Sequence, residues 1–191
     1  MALRRGHPPS LTESRPAAFI LFMKRIAVLL GMMLAGTASF CAEPAHLLDK
    51  ANVLPLALDE QIHFRKTIMF LNDPKTYKPT KNSMILFDRD RMNFGALTAV
   101  DREQRLGQYF TFFWRTDRKA DLTVRFEYRQ ENLGSYVQAR EVACNQAKGT
   151  MKTAFEIIGD DYRNDGRITA WRAILIEKGK IVGLTQSYLW N

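Results

Sequence analysis

Apolar and polar residues alternate along much of the chain after residue 82, and this period of two is typical of half-buried β-strands. In residues 122–128, Leu, Val, Phe and Tyr take every second position, with Thr, Arg and Glu between them. Segments of this kind follow one another without crossover helices, which predicts antiparallel pairing in a sandwich or barrel. The predicted strands cover residues 83–87, 109–114, 122–128, 136–142, 150–158, 167–176 and 181–190.

Helix and turn signals lie around these segments. Residues 57–70 carry apolar positions at helical spacing before Asn72-Asp73-Pro74, which predicts a helix that ends there. Residues 75–82 are rich in lysine and read as an exposed linker. A short helix is predicted over residues 101–106, capped by Gly107. Asn, Asp and Gly predict turns at residues 131–134, 145–149, 164–166 and 177–180.

The first 42 residues have the layout of a targeting segment. A basic start at residues 23–25 precedes an apolar run over residues 26–40, and small residues follow, as in a secretory signal peptide. The small-x-small pairs Thr37/Ser39 and Ser39/Cys41 place cleavage within residues 38–43. We therefore expect an exported protein, periplasmic or extracellular. An uncleaved membrane anchor is the alternative, and a natural start at either Met1 or Met23 stays open.

The two cysteines give information about the cellular compartment of the protein. Cys41 is preceded by Phe40, where a bacterial lipidation signal has a small residue, so a lipoprotein is the weaker alternative. Cys144 reads best as a small apolar residue at the end of a strand. If cleavage leaves Cys41 in place, the two thiols can pair in an oxidising compartment.

Charge excludes one class of partner. The chain has 28 basic and 20 acidic residues, but residues 43–191 hold 23 and 19 of them, so half of the net charge of +8 belongs to the targeting segment. A mixed-sign domain of this kind is not the footprint of a nucleic-acid-binding protein. Membrane contact is expected only through the signal segment, if that segment is not cleaved.

Three parts follow from these patterns: an extension with signal peptide (residues 1–42), a partly helical arm and linker (43–82), and a β-domain (83–191). With its short alternating strands, its aromatic residues Trp114 and Trp171 and its closing hairpin, the last part resembles an immunoglobulin-like or fibronectin type III-like sandwich of about seven strands. The stretches YFTFFWRT and FEIIGDDYRNDGRITAWRA are also similar to stretches of exported bacterial proteins. The resemblance is architectural and implies no activity.

No arrangement of residues predicts catalysis, a cofactor or a bound metal. His46 and His63 have no ligand spacing, and no nucleophile elbow or phosphate-binding loop is present. Asp88 and Asp90 would share a strand face, but arginines alternate with them, which favours a solvated strand. The cluster Asp160, Asp161, Asn164 and Asp165 lacks the EF-hand order and reads as a solvated turn.

Two surfaces are candidates for binding. Arg125, Glu127 and Arg129 share one strand face, and Gln138 and Arg140 are placed on a neighbouring strand; such rows usually form cross-strand charge pairs at a solvated face. Most aromatic residues are expected in the core, and Trp171 among them. We expect a non-catalytic module that binds an unknown protein of the cell envelope. A carbohydrate ligand stacked on exposed aromatics is the alternative, and a carboxylate-based hydrolase is a weaker one.

Overall fold

A computed structural model describes residues 39–41, 43–48 and 52–190 of the chain. The protein is mostly β, as the alternation predicts, and the seven named strands belong to one sheet. The expected signal segment lies outside the described residues except at positions 39–41. The strands are β1 (Ser39–Phe40), β2 (His46–Leu47), β3 (Ile62–Asn72), β4 (Gly107–Gln130), β5 (Gln138–Ile158), β6 (Ile168–Glu177) and β7 (Lys180–Gln186). The helices are α1 (Ser83–Met92), α2 (Ala99–Gln104) and α3 (Asp160–Asp165).

Strand β4 is the centre of the sheet. It pairs with β5 along one edge, and its other edge pairs with β3 in its first half and with β6 in its second half. Strand β7 follows β6, and Leu56, just before β3, bridges in parallel to Ile181 of β7. The sheet is mixed rather than purely antiparallel, because β1 also pairs in parallel with β5.

Two predicted elements have the opposite type. Residues 57–70 were expected to be helical, but most of them form β3, because pairing with β4 outweighs the weak helical spacing. Residues 83–87 were expected to be a strand, but they begin α1. The side chain of Asn82 accepts hydrogen bonds from the amides of Met84 and Ile85, which is a helix N-cap. Helix α2 confirms the short helix predicted nearby, with its bounds two residues earlier.

The prediction of a turn at residues 145–149 is wrong, although the positive φ angles that it implies are present. Gln146 and Gly149 do have positive φ angles, but β5 continues through both residues. The ladder between β4 and β5 shifts register opposite these two residues, around Ala120. The positive φ angles therefore belong to irregularities within a long ladder rather than to a turn that ends a strand. The predicted strands 109–114 and 122–128 are likewise two parts of one strand, because β4 continues through the residues between them. The hairpin turn at Lys178 and Gly179 is confirmed.

Aromatic residues of both halves of β4 meet in the core. Phe112 lies 5.5 Å from Trp171 of β6 and 5.4 Å from Phe126, measured between ring centroids. The Nε1 of Trp114 donates a hydrogen bond to the hydroxyl of Thr153 at 3.0 Å, which satisfies the only polar atom of this fully buried side chain. Burial of Trp171 confirms its prediction as a core residue.

A disulfide bond joins Cys41 to Cys144 across 103 residues of sequence, with the two Cα atoms 5.0 Å apart. It attaches the segment around β1 to the middle of β5. The hydroxyl of Thr153 lies 3.2 Å from the Sγ of Cys41, so the bond adjoins the polar end of Trp114. The structure therefore has the pairing that the sequence left as one of two alternatives.

Within the described residues, no helix combines the length and the apolar character needed to cross a bilayer.

Candidate functional site

The five residues predicted to form one binding face are divided between the two faces of the sheet. In the β4–β5 ladder Glu127 lies opposite Ala139, whereas Gln138 lies opposite Tyr128. Opposite residues share a face and neighbours alternate, so Gln138 and Arg140 lie on the face of Tyr128. The three charged residues of β4 lie on the other face. A difference of one residue in register produces this division, and strand patterns alone do not set register.

Two of these three charged residues on β4 are also buried rather than solvated. Arg125 is 7% exposed and Glu127 is 4% exposed, which corrects the expectation of an open charged face. The Nε of Arg125 donates to Oε1 of Glu141 at 2.5 Å, and its Nη1 donates to the carbonyl of Asn52 at 2.9 Å. Arg172 of β6 donates from Nε to Oε2 of Glu127 at 3.1 Å. Charges of opposite sign therefore alternate across three strands. The segment that contains Asn52 covers this charged face.

The C-terminal end of the chain completes this cover. After β7, the amide of Ser187 donates to the carbonyl of Trp171, and the chain turns back so that Trp190 is only 8% exposed. The guanidinium carbons of Arg129 and Arg172 lie 4.9 and 5.1 Å from the Trp190 ring, within cation–π range. The buried Nε of Arg129 has no hydrogen-bond partner among the described residues.

A cavity of about 580 Å³ lies between this face of the sheet and its cover. Sequence patterns did not indicate Arg172 or Trp190 as members of this charged site. The one available signal was Arg172 itself, a charged residue within an otherwise apolar strand. The lining combines four charged side chains, Arg125, Glu127, Arg129 and Arg172, with Leu48, Asn52, Val53, Leu54, Tyr136, Val137, Ala139, Ile174, Ile181 and Trp190.

Gln138 and Arg140 take part in a separate polar cluster. The hydroxyl of Tyr128 donates to Oε1 of Gln138 at 2.9 Å and accepts from Nε of Arg140 at 3.2 Å. Arg140 also pairs with Asp161, and Gln138 donates to Asp165 at 3.3 Å. Burial raises the pKa of Tyr128 above its usual value. This cluster fastens α3 to β5, and a cavity of about 330 Å³ adjoins it.

The carboxylates considered for catalysis or metal binding do not converge. Asp88 and Asp90 lie on α1, where a spacing of two points side chains to different sides. Asp160 pairs with Arg163 one helical turn away. In the part of the chain that the structure describes, no group of three or more His, Cys, Asp or Glu side chains is arranged to hold a metal ion.

All three tryptophans are buried, so none offers the exposed stacking platform that the carbohydrate alternative requires. The large exposed aromatics are elsewhere. Phe40 lies in β1, Phe87 and Phe94 lie in the connection between β3 and β4, Tyr136 lies between β4 and β5, and Tyr188 follows β7.

The β3–β4 connection, residues 73–106, is anchored at its base. The fully buried Asn72 donates to the carbonyl of Arg105 at 2.8 Å and accepts from the hydroxyl of Tyr77 at 2.6 Å. The hydroxyl of Tyr109 also donates to that carbonyl at 2.8 Å, and burial raises the pKa of Tyr109 to about 12. Arg89 stacks on the Tyr77 ring at 3.9 Å.

Beyond this base, neither helix of the connection buries a residue. Met84 is 75% exposed and Phe94 is 84% exposed, although both are large apolar side chains. Exposed apolar side chains concentrated in one segment usually mark an interaction site. The exposed apolar side chains of the β3–β4 connection are Met84, Ile85, Leu86, Phe87, Phe94, Leu97 and Val100.

Comparison with protein-family models, with curated proteins and with solved structures finds no significant match for this chain.

Proposed function

We propose that this protein is an exported, non-catalytic module that binds another protein of the cell envelope through its β3–β4 connection. The observation that carries the proposal is the set of seven exposed apolar side chains on α1, on α2 and on the residues between them, where neither helix buries a residue. Both helices are nevertheless well specified. Asn82 caps α1, and Thr98 and Asp101 form a capping box at α2. A defined helical surface without intramolecular burial is suited to docking.

The distribution of residues in α1 favours a protein partner over a membrane surface. Four consecutive apolar residues, 84–87, surround one full helical turn, since successive side chains are about 100° apart. Helices that lie in a membrane interface instead separate an apolar face from a basic one. The next four residues, 88–91, alternate acidic and basic side chains, and the acidic ones would be repelled by anionic lipid. A short apolar turn fits a groove in a protein.

Basic residues around the connection indicate the charge of the partner. Lys75, Lys78 and Lys81 precede α1 without an intervening acid, and the connection, residues 73–106, holds seven basic and five acidic residues. This excess is half of the net charge of residues 43–191. We therefore propose a partner with an apolar groove and an acidic rim, because complementary charge speeds and orients docking.

The disulfide supports export. Such bonds persist in oxidising compartments and are rare in the cytosol of mesophiles. A Sγ atom of Cys41 that is bound to Cys144 is also not free to carry a thioether-linked lipid, which argues against the lipoprotein alternative. Export accordingly remains the proposal for the whole chain, with the envelope as the place of the partner.

The disulfide also favours one of the two expected cleavage sites. Cleavage after Cys41 would remove the bond, whereas cleavage after Ser39, at the Thr37/Ser39 pair, keeps it. We predict that N-terminal sequencing of the protein from its native host starts at Phe40. A start at Ala42, or at Met1 with the protein in the cytosol, would contradict this prediction.

The docking proposal predicts a site-specific cross-link. A photoreactive phenylalanine analogue at position 87 or 94 is expected to link the protein to one discrete envelope protein in the native host. In the protein with the probe at position 94, the double substitution Met84→Gln/Phe87→Gln should reduce the yield of the cross-linked adduct at least about tenfold. The reason is that each large apolar side chain buried on binding contributes about 1.5–3 kcal/mol of binding free energy.

The control removes the same number of exposed apolar side chains elsewhere. The pair Met69→Gln and Leu58→Gln should leave the adduct unchanged, since both positions are exposed outside the connection. Both double variants should keep the melting temperature of the parent because none of the four residues is buried. Equal adducts in the two variants, adducts with lipid alone, or a self-linked dimer would each overturn the proposal.

The immunoglobulin-like or fibronectin type III-like arrangement is likewise part of this proposal. The packing of Phe110 and Phe112 of β4 against Trp171 of β6 supports it, because the first half of β4 and strand β6 contribute side chains to one aromatic core. The seven strands nevertheless share one sheet. An experimental structure with two stacked sheets would bear the proposal out, and a single closed sheet would replace it.

A further inference from the structure

The cavity beside β4 has a feature that the docking surface does not explain, namely an arginine without a counter-charge among the residues that the structure describes. Glu141 is engaged by Arg125, and Glu127 is shared between Arg125 and Arg172. Arg129 makes no ion pair with a described residue, and its buried Nε has no acceptor. Buried donors without acceptors are uncommon because the lost hydrogen bond with water is not replaced.

We propose that this cavity is a binding site for a small amphipathic organic anion, with one carboxylate or sulfonate held by Arg129. Arg129 places an unpaired cation at the wall of a cavity that is open to solvent on one side. The volume of about 580 Å³ lies in the ordinary range for small-molecule sites. A carboxylate or sulfonate beside the guanidinium of Arg129, which lines the cavity, would supply the counter-charge that no described residue provides.

The rest of the lining defines the body of the ligand. Leu48, Leu54, Val137, Ile174 and Ile181 give the cavity apolar surface that suits a hydrocarbon or aromatic body. The indole of Trp190 also lines the cavity and contacts two guanidinium groups.

The count of charges sets the charge of the ligand. Among the described residues at this face, three arginines meet two glutamates, Glu127 and Glu141, so one positive charge remains. A monoanion balances that charge. A phosphate dianion would place its second charge near the two glutamates, which disfavours it.

The test uses a matched pair of fluorescent probes, 8-anilinonaphthalene-1-sulfonate and the uncharged N-phenyl-1-naphthylamine, which share the same ring system. The anionic probe is expected to bind more tightly, and NMR shifts should be confined to residues that line the cavity. Arg129→Met should weaken the anionic probe at least about tenfold, the value of a charge-assisted hydrogen bond, and leave the neutral probe unchanged.

Matched variants separate this site from other causes. Arg129→Lys should recover part of the affinity, and Arg115→Met, which removes a partly exposed arginine from the same strand outside the cavity, should change nothing. Phe87→Gln should also keep the affinity, because the β3–β4 connection does not line the cavity. Equal binding of the two probes to the parent protein would overturn the proposal. Equal loss in Arg129→Met and Arg115→Met, or loss in Phe87→Gln, would also do so.

Discussion

Replacing Glu127 with glutamine is expected to lower the free energy of unfolding by about 3–5 kcal/mol, the usual result of removing one partner of a buried ion pair. The carboxylate of Glu127 is buried and accepts hydrogen bonds from Arg172, and it lies 3.8 Å from Arg125. Its loss leaves an uncompensated positive charge beneath the cover formed by Trp190. Chemical denaturation with an unchanged m-value would measure the effect.

Two further variants make this prediction specific. Glu131→Gln removes an exposed carboxylate just after β4 and should change stability by less than about 0.5 kcal/mol. Arg172→Met added to Glu127→Gln should recover part of the loss, because the charge left unpaired is then removed as well. A loss below about 1 kcal/mol for Glu127→Gln would show that the row on β4 is solvated, as the alternation alone predicts.

Loss of the Cys41–Cys144 bond is expected to destabilise the protein by about 4–5 kcal/mol in the chain-entropy description, because the bond closes a loop of roughly one hundred residues. The double variant Cys41→Ala/Cys144→Ala would show this in the same denaturation experiment. Part of the loss would come from packing, since Cys144 is buried in the core.

Reduction gives the matched comparison. A reductant should lower the unfolding midpoint of the parent protein and leave that of the double-alanine variant unchanged. Two free thiols in the denatured, unreduced protein would contradict the bond.

The candidate site shows which kind of information alternation carries. The pattern in residues 122–129 correctly separated Arg125, Glu127 and Arg129 from the core-facing aromatic residues. It did not identify what covers the charged face, because segment 52–54 and Trp190 are distant in sequence. It also did not fix the β4–β5 register, so Gln138 and Arg140 were grouped with residues of the opposite face.

Turn signals in the sequence were correct for the backbone conformation of single residues, but they did not determine where strands end. Asn, Asp and Gly correctly indicated positive φ angles, as at Gly149 and Gly179. Whether such a residue ends a strand or lies within a bulge depends on whether the partner strand continues. The helix expected over residues 57–70 failed because strand pairing with β4 is a long-range interaction that local spacing does not contain.

What the sequence determined by itself is therefore the mostly β character, the alternation of faces along β4 and β6, the core position of Trp171, and the turn at residues 178–179. These features depend on neighbouring residues, whose side-chain directions follow from backbone geometry. Only the tertiary structure decided that Cys41 meets Cys144, that Glu127 and Arg125 are buried, and that α1 presents its apolar turn to solvent. Each of these depends on segments far apart in the chain, and their contacts follow from strand register and packing rather than from local pattern.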